Sequence, residues 1–323
     1  MTTPLAIEPA GDHHVGAIAE LLSASMHQPD DDRTRGLFMW KHSANPFGES
    51  PAWVAEIDGE VVGYRAFMRW EFTDGATTYR AVRAVDTATH PDHQGKGIFR
   101  LLTLHGLEEV RADGVDFVFN TPNDQSRPGY LKMGWELVGR LPPRVRPRGL
   151  RSLPRIVRGR TPAGHWGEPT DVGRRADEVF EHDAGTEALV VSARVPGLQT
   201  RRSGAYMRWR YDADLLGYRV LTLGSDLAEG AACFRLRRRG DALEATIGDL
   251  LVPGQDPATR RRLIRSVLAA TRADYALVLD GSIQDRTVPL PGQGPTLVWR
   301  SVNATQRPLL EDWHLTMGDI ELF

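Results

Sequence analysis

The chain has 323 residues, 41% of them hydrophobic and 25% charged, with a formal net charge of −2. At roughly 150 residues per domain this length predicts about two domains, and the near-neutral charge excludes a general affinity for nucleic acid or an anionic membrane. Cys233 is the one cysteine, so no disulfide closes within the chain, and a reducing cytoplasm is the expected compartment.

No apolar run approaches the roughly 20 residues of a membrane helix. The opening "MTTPLAIEPAGDHHVG" carries neither the basic stretch nor the apolar core of a signal peptide. After a short strand at "LAIEP", the chain predicts a helix with Val15, Ile18, Leu21 and Leu22 on one face. "AWVAEIDGEVVGYRAFMRWEF" reads as a hairpin turning at Asp58-Gly59, a strong two-residue turn signal. "TTYRAVRAVDTATH" is a further strand, rich in β-branched residues. The next helix has Phe99, Leu101, Leu102, Leu104 and Leu107 as its apolar positions. "GVDFVFNTPN" is a short strand, and "SRPGYLKMGWELVGRL" is a short helix, a turn at Gly134 and a return strand.

Between Arg140 and Arg160 proline and arginine dominate and neither period persists, which predicts a connecting segment. The second half then echoes the first. "FMWKHSANPFGESPAWVAEIDGEVVGYRAFMRW" is matched by "YMRWRYDADLLGYRVLTLGSDLAEGAACFRLRRR", so that Trp40-Lys41 corresponds to Trp209-Arg210. A strand at "ALEATIGDLLVP", a helix with Leu263, Ile264, Val267 and Leu268 inward, and a strand at "DYALVLDG" complete the echo. A tandem duplication is the economical reading.

The stretch "HPDHQGKGIF" opens directly onto the helix that follows it. A helix N-terminus offers unpaired N–H groups and partial positive charge, and glycine lets a phosphate approach the backbone closely. A glycine-rich turn alone is weak evidence, because turns also use glycine for conformation. The context adds to it. Gln94, Gly95, Lys96 and Gly97, led in by His90-Pro91, resemble the acyl-CoA loop of the GNAT N-acyltransferase superfamily. Asn123, Tyr130, Gly134 and Trp135 resemble that family's Asn…Tyr-x-x-x-Gly-aromatic segment. The resemblance covers about residues 5 to 142. Where the family usually has Gly or Ala, this chain has Phe99; its side chain is expected to pack into the core while its N–H stays available.

The resemblance implies an α/β (α+β) architecture of tandem GNAT folds, with mixed, mostly antiparallel sheets flanked by helices. It divides the chain into an acyltransferase domain at 1–142, an Arg/Pro-rich linker at 143–178, a GNAT-like domain at 179–303 and a tail at 304–323 docking between domains. The second copy is degenerate: "VPGQDPATRRRL" lacks the Gly-x-Gly spacing and no Tyr-x-x-x-Gly-aromatic follows. The implied activity is acyl-CoA-dependent N-acyl transfer, with acetyl-CoA or another acyl-CoA as cosubstrate and no metal. The acceptor is a small-molecule primary amine that attacks directly. A protein or peptide lysine acetyltransferase and a non-catalytic acyl-CoA-binding regulator are the alternatives. Neither nucleic acid nor membrane is an expected partner, and the reading leaves room for a homodimer.

The same resemblance implies site residues. Thr87, Ala88, Thr89, Gln94 to Gly97, Ile98, Phe99, Asn120, Asn123 and Ser126 hold the cosubstrate. Tyr130 is the acid for the leaving thiolate. The base stays open: Asp86, His90 (which also fits a turn role), a water relay, or a tail carboxylate. The tail "EDWHLTMGDIELF" carries five large apolar residues, and in the enhanced-intracellular-survival acetyltransferases, which this chain resembles distantly, the terminal carboxylate enters the active site. That makes Phe323, Asp319 and Glu321 candidates. Trp40, Lys41, His42 and Asn45 offer stacking, charge and hydrogen bonds for the acceptor, although Trp40 also fits a core role, since the second copy keeps Trp209.

Overall fold

The computed structural model describes residues 5–26, 31–159, 161–181, 184–224, 227–279, 283–290 and 292–321. The chain divides into two compact units. The first comprises residues 1–72, 77–139 and 296–310; the second comprises 73–76, 140–295 and 311–323. No helix among the described residues is long and apolar enough to cross a membrane.

The first unit follows the predicted order closely. Strand β1 (Ala6–Pro9) leads to helices α1 (Val15–Met26) and α2 (Asp32–His42), the hairpin β2 (Ala52–Ile57) and β3 (Glu60–Thr73), and strand β4 (Thr78–Thr89). Helix α3 (Ile98–Ala112), strand β5 (Phe117–Asn120), helix α4 (Arg127–Lys132) and strand β6 (Glu136–Arg140) complete the run. The hairpin turns where the sequence predicts, with Asp58 at φ 55° and Gly59 at φ 81°. Positive φ at both positions is the requirement of a type I′ turn, whose twist matches the flanking strands.

The sheet is ordered β1-β2-β3-β4-β5, then the strand Thr296–Ser301, then β6. Both faces are covered. Ile18, Leu21 and Leu22 of α1 pack with Val54, Tyr64, Ala66 and Ala88 on one side. Ile98, Leu102 and Leu107 of α3, with Tyr130 and Trp135, pack with Trp53, Ala55, Phe67, Val82 and Val118 on the other. This two-sided burial explains why β3 reads as a nearly continuous apolar run and not as an alternation. Two expected core residues are exposed, Val15 at 49% and Leu101 at 44%. Val15 begins α1, and the buried row of α3 runs through Ile98, Leu102, Leu107 and Val110, which leaves Leu101 on the far side.

Strands β4 and β5 are parallel and pair at Ala81–Phe117, Val82–Val118 and Arg83–Phe119. β5 ends one residue later, while β4 runs on to Thr89. The two strands therefore part company halfway along β4, ahead of the turn into α3.

The second unit repeats this plan. Antiparallel strands Arg219–Thr222, Ala231–Arg239 and Ala242–Leu251 precede the helix Pro257–Thr271 and the strand Tyr275–Val278, which pairs parallel with Ala242–Leu251. Leu263, Ile264, Val267 and Leu268 are buried against this sheet, as the periodicity predicts. The Arg/Pro-rich stretch differs from the expected connection. Arg144–Pro147 is a strand pairing with Tyr275–Val278 on one side and with Val288–Pro289 on the other. Four residues are too few for a period to register, and Pro147 ends the strand, where a missing donor costs no ladder bond. Likewise Thr296–Ser301, expected in the second domain, pairs antiparallel with β5 of the first unit.

Candidate active site

The turn between β4 and α3 is built by glycine. Gly95 has φ 73° and Gly97 φ 81°, and a Cβ added to either would meet nothing within 4 Å. Gly97 is the N-cap of α3 and supplies no side-chain cap. Among the described residues, the amides of 95 to 100 find no acceptor; the first hydrogen bond of the helix is Leu101 N to Gly97 O. A 15-residue helix thus presents free N–H groups and its positive end across an exposed glycine turn, which is the chemistry that receives a pyrophosphate. The corresponding helix of the second unit is closed. Asp256 is its N-cap, and its carboxylate accepts from Thr259 N at 2.8 Å. That side chain occupies the N-terminus with negative charge.

Phe99 turns away from the loop. Its ring meets Tyr130 edge-to-face at 5.4 Å and lies where a Cβ on Gly129 would come within 3.1 Å of it. At the end of β5, Asn120 is 3% exposed and its Oδ1 has no partner, an acceptor without a donor where β4 and β5 have separated. Asn123 Oδ1 accepts from Ser126 N and Oγ, both at 2.9 Å, and so shapes the entry to α4. Ala88 faces the α1 side of the sheet, and the carbonyl of Thr89 accepts from Ser25 Oγ. The free amides, the glycine turn and the orphaned Asn120 oxygen fit a phosphate-bearing cosubstrate with amide groups in its arm.

Tyr130 is 4% exposed. Its ring is held by Phe99 and by Trp135 at 5.1 Å. Its hydroxyl oxygen accepts from Arg65 Nη1 at 2.8 Å, so the phenol's own proton remains to be given. Arg65, on β3, also donates to Thr87 Oγ1.

A second constellation centres on Asp86. Its φ of 43° is unusual for a residue in a strand and turns its carboxylate toward the end of α2. There Oδ2 meets Lys41 Nζ at 2.5 Å and His42 Nε2 at 2.8 Å. The three side chains are 10% exposed or less. Burial pushes the Asp86 carboxyl up, but the Lys41 ammonium and the His42 hydrogen bond outweigh it and hold the carboxyl well below the usual range. Because the Asp86 carboxylate can only accept, His42 Nε2 is the donor, and buried His42 Nδ1 has no hydrogen-bond partner. Burial, and then the Asp86 charge, pushes the phenol of neighbouring Tyr64 above its ordinary range.

Lys41 and Asp86 also line a cavity of about 490 Å³ between α1 and α2, walled mainly by Val15, Ile18, Ala19, Leu22, Leu37, Phe38 and Met39. Trp40 and His42, expected to face an acceptor, are buried and lie outside this lining. Asn45 is engaged at both ends, donating to Arg69 O at 2.8 Å and accepting from Phe47 N at 3.0 Å. Its role here is to shape a turn. Asp319 and Glu321 are also engaged, within the second unit. Asp319 accepts from Arg202 and from Thr316 N; Glu321 lies 2.7 Å from Arg235 and 2.8 Å from Arg237. Phe323 lies outside the described residues. His90 accepts from Asp92 N and forms the lead-in turn.

Sequence reading missed Arg65, and the signal was there: it is the lone charge within the apolar run "VVGYRAFM". It also missed the α1 wall of the cavity, where Ile18 and Leu22 read as core.

Residues 6–138 match the family described as Acetyltransferase (GNAT) domain. The chain is 30% identical over 95 residues to the L-amino acid N-acyltransferase MnaT of Escherichia coli (strain K12), an alignment covering 28% of this chain and 54% of that protein. The chain thus spans about half the length of this curated relative. Its fold is similar to that of a GCN5-related N-acetyltransferase from Kribbella flavida, with TM-score 0.64 and 14% identity over 94% of this chain and 72% of that one. It is also similar to Eis1 from Mycobacterium abscessus, with TM-score 0.58 and 15% identity over 93% of this chain and 74% of that one.

Proposed function

We propose that this chain, whose residues 6–138 are a GNAT acetyltransferase domain, is an acyl-CoA-dependent N-acyltransferase. In this reading it moves an acetyl group from acetyl-CoA to the primary amine of a small molecule with an apolar body. The observation that carries the reading lies in the first unit. A glycine turn with free amides opens α3, and the side chain of the next-but-one residue, Phe99, rests against Tyr130, a buried tyrosine with a proton to give.

The amides of 95 to 100 would hold the pyrophosphate, and Asn120 would donate or accept toward the arm where β4 and β5 separate. The cosubstrate brings an activated thioester; the chain's residues handle the protons. The amine enters the cavity between α1 and α2 and must be neutral to attack. Asp86, expected as the base, is the weaker candidate, because Lys41 and His42 stabilise its anion and a carboxylate of depressed pKa takes a proton poorly. In this reading Asp86 holds Lys41 and His42 in place, and the amine's proton leaves the cavity through a water relay. Tyr130 protonates the leaving thiolate.

A walled cavity of about 490 Å³ supports a small acceptor over an extended peptide. The activity of the E. coli relative makes L-amino acids the first acceptors to try. Incubation with acetyl-CoA and a panel of apolar amino acids, amino-acid amides and amino sugars, followed by mass spectrometry, tests the reading. A mass gain of one acetyl group on an apolar amine is expected. Acetylation of added peptides with none on small amines would overturn it.

A further inference from the structure

The geometry points to Arg65 as a positioning residue for the acid, one that holds Tyr130 as an acceptor and stabilises the phenolate it becomes. The inference rests on the acyl-transfer reading above and deepens it.

Arg65 is fully buried. A buried guanidinium ordinarily pairs with a carboxylate, because an uncompensated charge in the interior is costly. Arg65 has no carboxylate within ion-pair distance among the described residues. Its polar contacts are two neutral hydroxyls, Tyr130 at 2.8 Å and Thr87, both reached from Nη1. Nε and Nη2 make no hydrogen bond. The remaining surroundings are aromatic faces, Phe67 at 4.8 Å, Tyr130 at 5.4 Å and Phe99 at 5.8 Å from Cζ. An arginine kept in such a place does little for stability. What it meets is the oxygen that bears negative charge once Tyr130 has given up its proton.

The step balances as follows. The amine nitrogen forms the new C–N bond, and the C–S electron pair goes to sulfur. Sulfur takes the Tyr130 proton, leaving the phenolate beside Arg65. The acylated nitrogen sheds one proton, and the phenolate regains one through solvent. Arg65 acts in both halves. Before transfer, its N–H occupies a lone pair of the phenol oxygen, so that the O–H turns away toward the sulfur. During transfer, the same hydrogen bond becomes charge-assisted and strengthens, and that preorganised donor lowers the barrier.

The experiment is a double-mutant cycle on the full chain, with acetyl-CoA and an acceptor identified by the panel above, reading kcat and the acetyl-CoA KM separately. Tyr130→Phe is expected to lose about 10²–10⁴-fold in kcat. Arg65→Met is expected to lose about 10–100-fold with an acetyl-CoA KM within about threefold of wild type, and to cost less than about threefold once Tyr130 is Phe. Arg65→Lys keeps the charge and is expected to recover part of the loss. It also serves as the reading variant if Met at 65 does not fold.

Equal losses from Arg65→Met in both backgrounds, or a raised KM with kcat intact, would show a structural role and overturn the inference. Arg65→Lys at full kcat in place of Arg65→Met would support a charge requirement only if its activity still falls in the Tyr130→Phe background; otherwise the inference fails. If Tyr130→Phe itself turns over normally, the acid reading has failed, and this inference with it. If Tyr130→Phe is slow and Arg65→Met fast, the acid reading stands and only the role of Arg65 is lost.

Discussion

Replacing Asp86 by Asn separates a charge effect from a shape effect. Asn is isosteric, and it tolerates the positive φ found at this position better than most residues. What it removes is the negative charge between Lys41 and His42. Lys41 is 4% exposed, so its ammonium would be left buried beside a neutral amide. Removing one partner of a buried pair costs about 3–5 kcal/mol. At about 2–4 °C per kcal/mol for a domain of this size, the melting temperature should fall by about 6–20 °C. The companion variant Lys41→Met/Asp86→Asn has no stranded charge and should recover most of that loss, because a buried ion pair contributes little beyond cancelling its own desolvation.

Urea unfolding across pH gives a second arm. A carboxyl whose pKa is lower in the folded chain contributes stability that is fully present above the unfolded value, about 3.9. That stability is lost as pH falls through the folded value. The gap between wild type and Asp86→Asn should therefore stay constant from neutrality to about pH 4 and narrow only below it. A single variant as stable as the double would refute the stranded-charge argument. A gap already closing between pH 7 and 5 would place the Asp86 titration too high, and would revive Asp86 as a base.

Gly63→Ala should crowd the start of α3, since its Cβ would stand 2.5 Å from Ile98 Cγ2 and 3.0 Å from Leu102 Cδ1. Overpacking of about 1–3 kcal/mol and a raised acetyl-CoA Kd by calorimetry are expected. Gly97→Trp should abolish that binding by filling the space over the free amides, and wild-type calorimetry should give one acetyl-CoA site per chain. Ala19→Trp, in the cavity wall, should raise the acceptor KM while leaving the acetyl-CoA Kd unchanged, measured by steady-state kinetics and calorimetry. Deleting residues 319 to 323 should lower the melting temperature by taking the Glu321 carboxylate from Arg235 and one of two carboxylates each from Arg202 and Arg237, as differential scanning would record.

The parts of this molecule governed by short-range rules were readable. Asp58-Gly59 dictates its turn, the apolar row of α3 dictates its buried face, and Gly95 and Gly97 announce an open helix N-terminus. What the sequence hid depends on partners distant along the chain. Lys41, His42 and Asp86 were each noticed, but separately, because their encounter requires α2 to end over the turned residue of β4. Arg65 stood out as a charge in an apolar strand, yet nothing local says that Tyr130, 65 positions on, lies at its tip. Arg144–Pro147 reads as a connection and Thr296–Ser301 as part of the second domain because four to six residues carry no address beyond their β propensity.

Those two strands bear on how the protein comes to exist. The first unit's sheet is finished by Thr296–Ser301, whose Arg300 reaches the carbonyl of Met133 from 167 positions further along the chain. A ribosome delivers residues in order at about 5–20 per second. The first unit's sheet therefore waits, with β5 open along one edge, until almost the whole polypeptide has emerged. An exposed strand edge invites pairing with other chains. Production of residues 1–142 alone should yield aggregation-prone material, and a separately supplied segment covering 296–310 is the missing piece that should rescue its solubility. The half of the molecule made first thus depends for its completion on a strand made close to the end of synthesis.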